Sequence, residues 1–362
     1  MSKTDQRSML VPDVSAEGAQ SDAEKLLTGE EDLEEYQFDI PEDAYGAGIL
    51  AIVHDLPVFR SGPWADENSQ LALVQAAFAM TLLAMNLVMQ LALLYFIYTF
   101  VVGPAVHKVQ DQYRQFHEKA FDEGGSFLPE EWAIYEGKEK LCQIGMSSPF
   151  FYFTVVFLWV LLIVREFRIT ERLARDLNTM PYCDSSKGMC KKTADALQVV
   201  ALTPGTKVLL LLLVIVPKLL ICSTLMWLGC QWLTATNSFS DLVMNSIAME
   251  FVTGIDEALY ETLLPVAHRR QVQEINFVIS RRKSGGGRAK EFAAFQRSFV
   301  YLCISVSFVL AYKVLGQTVL PPHLHDLKIA CADLISESAS QICSAPFWTG
   351  SFGLGDCFPY GQ

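Results

Sequence analysis

Two apolar stretches joined by a short polar turn decide the fold of this chain: VLLLLLVIVPKLLICSTLMWLGCQWL (Val208–Leu233) and FSDLVMNSIAMEFVTGIDEALYETLLP (Phe239–Pro265). At ~1.5 Å per residue, each is long enough to cross the ~30 Å hydrocarbon core of a bilayer. Pro217 lies inside the first stretch and should kink it. The sequence therefore predicts a helical hairpin in a membrane, with an acidic second arm.

The composition favours the same class. Of the 362 residues, 51% are hydrophobic and 19% are charged, and the mean hydropathy is +0.26, which is too apolar for an ordinary soluble domain. Residues 1–70 carry four Lys/Arg and sixteen Asp/Glu, which accounts for the whole net charge of -12. Because the rest of the chain is neutral, we expect no nucleic-acid partner. No nucleotide or zinc motif is present, so the chain is predicted to be no enzyme and to bind no cofactor or metal.

Three further apolar stretches bring the predicted transmembrane helices to about five: Leu71–Val102, Phe150–Val164 and Ser298–Leu315. The predicted fold class is thus all-α, a polytopic helical membrane protein whose transmembrane domain occupies residues 71–316. It crosses its membrane several times, and the identity of that membrane is open. Asn86 and Gln90 lie four residues apart on one face of the first helix, and we expect them to hydrogen-bond to a neighbouring helix.

The charged segments between the helices predict the sidedness. Loop 165–207 carries eight Lys/Arg against five Asp/Glu, and loop 266–297 carries eight against two, so both are expected in the cytoplasm on an anionic leaflet. Residues 1–45 are predicted to be a disordered acidic cytoplasmic tail. Residues 46–70 are predicted to lie on the membrane surface as an interfacial segment. Residues 317–362 then form an external tail.

The cysteines fit this topology. Cys142, Cys331, Cys343 and Cys357 all fall outside, where an even number of thiols can form two disulfides. Cys183 and Cys190 fall in a cytoplasmic loop and are expected to stay reduced.

The hairpin carries ionisable side chains that are costly in a bilayer, at about 2.5–3.5 kcal/mol each on insertion scales. Counted from the turn, Lys218 reaches the same depth as Asp256 and Glu257, so a buried ion pair is one interpretation. The other is a cation pathway along the stripe of Glu250, Glu257 and Glu261. Both interpretations stay open here.

Asp22, Leu26 and Leu27 in the tail have the form of an acidic dileucine sorting signal. The alternative is that they belong to a solvated charged tail without such a role.

The segment Trp232–Glu257 resembles one found in uncharacterised multi-pass membrane proteins predicted from dinoflagellate genomes. That group has no established activity, so the resemblance implies a membrane protein and no functional residue.

Two functions follow as hypotheses. The first is a cation channel or transporter subunit built on the hairpin 208–265. The second is a non-transporting membrane scaffold, whose charged tail and loops bind protein partners and anionic lipid. Membrane lipid and cations are therefore the expected partners, and the oligomeric state is open.

Overall fold

A computed structural model describes the following residues of the chain: 33–61, 63, 66–144, 149–192, 197–236, 239–282, 287–321, 326–327 and 330–332. The structure is mostly helical, at 79%. The predicted sorting signal at Asp22, Leu26 and Leu27 lies outside the described residues, as do Cys343 and Cys357.

The α-helices in chain order are α1 (Ala44–Leu50), α2 (Leu56–Ser61), α3 (Glu67–Phe96), α4 (Gly103–Ala120), α5 (Pro129–Ile134), α6 (Lys138–Cys142), α7 (Pro149–Thr179), α8 (Pro204–Leu210), α9 (Val216–Thr234), α10 (Phe239–Thr253), α11 (Ile255–Leu263), α12 (Val266–Glu274) and α13 (Gly287–Ala311). Four π-helical segments extend or join them: Ala51–Asp55, Ile97–Val102, Leu211–Ile215 and Tyr312–Gly316.

Three of the π-helical segments end two residues before a proline. These prolines are Pro57, Pro104 and Pro217. Proline has no backbone N–H, and its ring clashes with the carbonyl one turn earlier, so an α-helix must adjust there. The wider π turn absorbs the mismatch, and the helix continues past each proline. At Pro217, where the sequence predicts a kink, the structure has the π segment Leu211–Ile215.

A small mixed sheet corrects the all-α prediction. Its strands are β1 (Leu33–Asp39), β2 (Cys190–Lys192), β3 (Leu197–Val199) and β4 (Ile275–Arg282), in the order β1-β4-β3-β2. β4 pairs antiparallel with β1 and parallel with β3, and β2 pairs antiparallel with β3.

β1 also corrects the predicted disordered tail over residues 33–45. Phe38 and Ile40 point into the core while Gln37 and Asp39 are exposed, which is the alternation of a half-buried strand. Phe38 packs against Phe277 of β4, with the ring centres 5.0 Å apart. Glu35 and Asp39 therefore lie on the exposed face of an ordered strand.

Three helices among the described residues are long and apolar enough to cross a membrane: Glu67–Ala120, Pro204–Thr234 and Glu291–Gly316. The first is 54 residues long and joins the predicted first span to the polar segment after it. The second predicted span lies in α7, which continues as a charged helix to Thr179. The acidic arm of the predicted hairpin is divided at Gly254 into α10 and α11.

The first part of the segment predicted to lie at the membrane interface, residues 46–53, is buried inside the protein, whereas Arg60, Asp66 and Glu67 in its later part are exposed. α1, the π segment Ala51–Asp55 and α2 pack along α3, and residues 44–53 are buried throughout. Small residues permit this close approach. A Cβ on Gly48 would lie 2.8 Å from Cδ2 of Leu83, and one on Gly46 would overlap the carbonyl oxygen of Pro41.

The arginines that follow Val164 contact other parts of the protein. Arg168 lies over the ring of Tyr301 on α13, at 5.4 Å from its centre. Arg172 donates a 2.8 Å hydrogen bond to the hydroxyl of Tyr36 on β1. α7 is thereby tied both to the last long helix and to the sheet.

A disulfide joins Cys142 to Cys331, one pair from the predicted external set, with the Cα atoms 5.4 Å apart. Cys183 and Cys190 are free thiols. Burial raises the pKa of the Cys190 thiol to about 11, and the neighbouring Cys183 adds to the shift.

We expect mass spectrometry under non-reducing conditions to recover Cys142–Cys331 and no Cys183–Cys190 bridge. At neutral pH, N-ethylmaleimide should modify Cys190 slowly, because the thiolate is the reactive form and burial disfavours it. Unfolding the protein in denaturant provides the control, since it should make this thiol react at an ordinary rate. A native Cys183–Cys190 bridge would contradict both the structure and the assigned sides.

Candidate functional site

The ammonium group of Lys218 lies among three carboxylates from three different elements. Its Nζ is 3.1 Å from Oδ2 of Asp43, 3.6 Å from Oδ2 of Asp256 and 3.9 Å from Oε2 of Glu166. Lys218, Asp43 and Asp256 are each less than a tenth exposed. We call these four residues the Lys218 cluster.

Each carboxylate is positioned by its own element. Asp43 is the N-cap of α1, and its other oxygen accepts a 2.8 Å hydrogen bond from the backbone N–H of Gly46. Asp256 lies in the first turn of α11, where its Oδ1 accepts from the N–H of Glu257 at 3.2 Å. Glu166 lies on α7 and also pairs with Arg165, whose Nη2 is 3.2 Å from Oε1 of Glu166. Two helix N-termini and the middle of α7 therefore fix the positions of the three carboxylates around the lysine.

An aromatic ring and two buried amides complete the surroundings of the cluster. Nζ of Lys218 lies 4.9 Å from the ring centre of Tyr45, within the range of a cation–π interaction. The Tyr45 hydroxyl donates a 2.9 Å hydrogen bond to Oε1 of Gln90, and Asn86 lies 3.5 Å from the same oxygen. The polar pair on α3 thus holds α1, the element that carries Asp43 at its cap.

Of the two partners that the sequence offers for Lys218, the structure brings Asp256 next to it, and Glu257 forms no ion pair with it among the described residues. Sequence reasoning missed Asp43 and Glu166. The signal for Asp43 is its place just before the small-residue helix α1, a typical N-cap position. Glu166 was hidden in the Arg-Glu-Phe-Arg segment, which indicated only the end of a span.

A cavity of about 550 Å³ opens onto the Lys218 cluster. Its ionisable lining is strongly acidic, with six carboxylates against two basic side chains: Glu42, Asp43, Glu166, Glu250, Asp256 and Glu257 against Arg165 and Lys218. We call it the acidic cavity. This excess of negative charge in a partly enclosed cavity concentrates the field of the carboxylates.

A second cavity of about 710 Å³ adjoins the first, since Glu42 and Glu257 line both. α12 forms much of its wall, and Arg269 and Arg270 face into it. We call it the outer cavity. The predicted acidic stripe runs through the two: Glu250 lines the acidic cavity, Glu257 lines both, and Glu261 lines the outer cavity.

No family model matches this chain, and no curated protein or solved structure matches it either. What the site can do must therefore be argued from its own chemistry. Among the residues that the structure describes, no group of three or more His, Cys, Asp or Glu side chains could hold a metal ion.

The Lys218 cluster carries more negative than positive charge when its carboxylates are ionised. One ammonium group faces three carboxylates, and a buried charge without compensation is costly. The excess negative charge can be neutralised by a proton on one carboxylate or by a cation bound in the acidic cavity. Proton uptake and weak cation binding are therefore the two kinds of chemistry that this arrangement supports.

Proposed function

We propose that this chain is a multi-pass integral membrane protein that passes monovalent cations or protons, as a channel or a transporter subunit. The acidic cavity and the outer cavity together would form part of the pathway. The observation that carries the proposal is the placement of Glu250, Glu257 and Glu261 along two adjoining cavities, with the Lys218 cluster at their inner end.

An apolar exterior supports the membrane location. Each candidate helix contains a most apolar stretch of 18 residues. Only 33%, 39% and 17% of these stretches, in chain order, are buried within the protein. Val74 and Val88 on α3 and Phe295 on α13 are among the large apolar side chains that remain more than 60% exposed. Apolar surface of this extent would be unfavourable in water and is favourable against lipid.

Five crossings are part of the same proposal, with α7 and the α10–α11 pair added to the three candidate helices. α10 packs on α9 and α7, and α11 packs on α1, so the chain returns after Thr234 towards the Lys218 cluster. The pairing of β1 with β4 favours the predicted sidedness, because it holds Leu33 beside Arg282. The N-terminal tail and the basic loop would then share one side of the membrane.

The depth of the Lys218 cluster supports a role in permeation. Lys218 lies near the middle of Pro204–Thr234, so in a membrane it would be close to the bilayer centre. Ionisable side chains at that depth are found mainly in ion pathways and proton relays or in paired structural sites. Conduction needs sites that hold an ion only weakly, which suits dispersed carboxylates better than a closed metal cage.

Glu250→Gln tests the proposal. The substitution keeps the shape and the hydrogen-bonding capacity of the side chain and removes its charge from the acidic cavity. In proteoliposomes we expect cation or proton flux to fall by about tenfold, the low end of the enrichment that a cleft of one charge sign provides. Glu118→Gln is the matched control, because Glu118 is an exposed residue of α4 outside both cavities.

Equal flux through the parent and the Glu250→Gln protein, with both folded, would count against the pathway. Absence of flux from the parent would do the same and would favour the non-transporting scaffold. A loss of flux in both Glu250→Gln and Glu118→Gln would point to damage unrelated to the acidic cavity.

A further inference from the structure

A second buried carboxyl group lies away from the Lys218 cluster, in the π-helical segment Ala51–Asp55. Asp55 is fully buried, and its Oδ1 lies 2.8 Å from Nδ1 of His54. Its Oδ2 is 4.0 Å from Nε2 of His268 on α12, a histidine only 4% exposed. Neither Oδ2 of Asp55 nor Nε2 of His268 has a hydrogen-bond partner among the described residues. Two buried polar atoms thus face each other without a bond.

The hydrogen bond of the other ring nitrogen of His268 determines which nitrogen carries the hydrogen in the neutral imidazole. Its Nδ1 lies 2.9 Å from Oε1 of Gln271, and an amide oxygen can only accept, so Nδ1 carries the hydrogen. In a neutral imidazole Nε2 is then an acceptor, and it faces the acceptor oxygen of Asp55. Adding one proton to Nε2 converts this contact into a charge-assisted hydrogen bond.

We propose that Asp55 and His268 form a proton-binding site that fastens α12 against the π segment Ala51–Asp55 when His268 is protonated. The bond formed is a hydrogen bond from Nε2–H to Oδ2, and the proton comes from water. As the pH rises and His268 loses this proton, the two acceptors repel and α12 loosens. Histidine is the side chain whose unperturbed charge change falls between pH 5 and 8, and the test below therefore compares pH 6 with pH 8.

α12 is well placed to transmit this change, because it forms the wall of the outer cavity. Arg269 and Arg270 face that cavity, and Gln273 donates a 2.8 Å hydrogen bond to Glu42, which lines both cavities. Protonation of His268 would therefore hold these side chains at the entrance to the acidic cavity. The proposal concerns the conformation of α12 and stands whether or not the cavities conduct.

The charged and titratable groups around His268 come from four elements. Asp55 and His54 belong to the π segment, Arg269 is its neighbour on α12, and Tyr260 of α11 donates to the carbonyl of Arg269. α1, which also packs on α12, carries Tyr45 as its titratable side chain, and that group faces Lys218. Asp55 is thus the acidic group closest to Nε2 among those that the structure describes.

Hydrogen–deuterium exchange of residues 266–274 tests the site in the full-length protein in detergent or nanodiscs. With rates corrected for the intrinsic effect of pH, we expect the α12 amides to be about tenfold better protected at pH 6 than at pH 8, as for one charge-assisted bond. His268→Gln should abolish this difference, and so should Asp55→Asn. Both variants are tested, so that the misfolding of one does not remove the test.

Two other histidines serve as controls. His107→Gln changes an exposed residue of α4 and should keep the full response to pH. His54→Gln should keep it as well, because His54 bonds the other oxygen of Asp55. A parent protein with no response to pH would overturn the proposal. An unchanged response in His268→Gln, or a response lost only in His54→Gln, would also overturn it.

Discussion

Lys218→Met is expected to destabilise the folded protein by about 3–5 kcal/mol, the usual cost of removing one partner from a buried charge network. Methionine has a similar length and fits the same space, so the loss comes from the charge. Without the ammonium group, the carboxylates of Asp43, Asp256 and Glu166 repel one another at a largely buried position, where screening by water is weaker than at the surface. The free energy of unfolding, measured by chemical denaturation in detergent micelles, is the test.

A triple variant separates the charge from the packing. Lys218→Met combined with Asp43→Asn and Asp256→Asn should recover most of the lost stability, because no strongly buried charge is left unpaired. Asparagine at position 43 still caps α1, since its oxygen can accept from Gly46. Lys108→Met is the matched control on the exposed surface of α4, and we expect a change within about 0.5 kcal/mol. A triple variant no more stable than Lys218→Met would show that repulsion is not the cause.

The helical part of this fold could be predicted from sequence because long apolar runs admit few structures. Val208–Leu233 and Ser298–Leu315 both fall within candidate membrane helices, and counting residues from the turn places Asp256 at the depth of Lys218. Such predictions use only local composition and helical geometry. They fail where an element depends on a distant segment.

The small sheet and the buried α1 are the clearest of these failures. β1 pairs with β4, more than 230 residues later in the chain, and its acidic side chains hide the alternation of Phe38 and Ile40. α1 is only seven residues long, and its burial depends on the fit of Gly46 and Gly48 against the rest of the fold. The missed helix α1 also positions Asp43 at its N-cap, so this member of the Lys218 cluster could not be found without the tertiary structure.

A second large effect is expected from Gly229→Ala in α9. Trp159 on α7 is fully buried, and its indole ring lies directly against the Cα of Gly229. A Cβ there would overlap Nε1 and would come within 2.7 Å of Cζ2. An enclosed indole ring has little room to move, so we expect a loss of about 1–3 kcal/mol in the free energy of unfolding. The same denaturation experiment measures it.

Two further variants identify the cause of that loss. Trp159→Phe makes room for the new methyl group. This change removes no hydrogen bond among the described residues, because Nε1 of Trp159 has no partner there. In a double-mutant cycle, Gly229→Ala should therefore cost clearly less in the Trp159→Phe protein than in the parent. Gly205→Ala is the matched control in α8, since a Cβ there meets no atom within 4 Å, and alanine should be neutral or slightly stabilising. Equal costs of Gly229→Ala in both backgrounds would contradict this packing of α7 on α9.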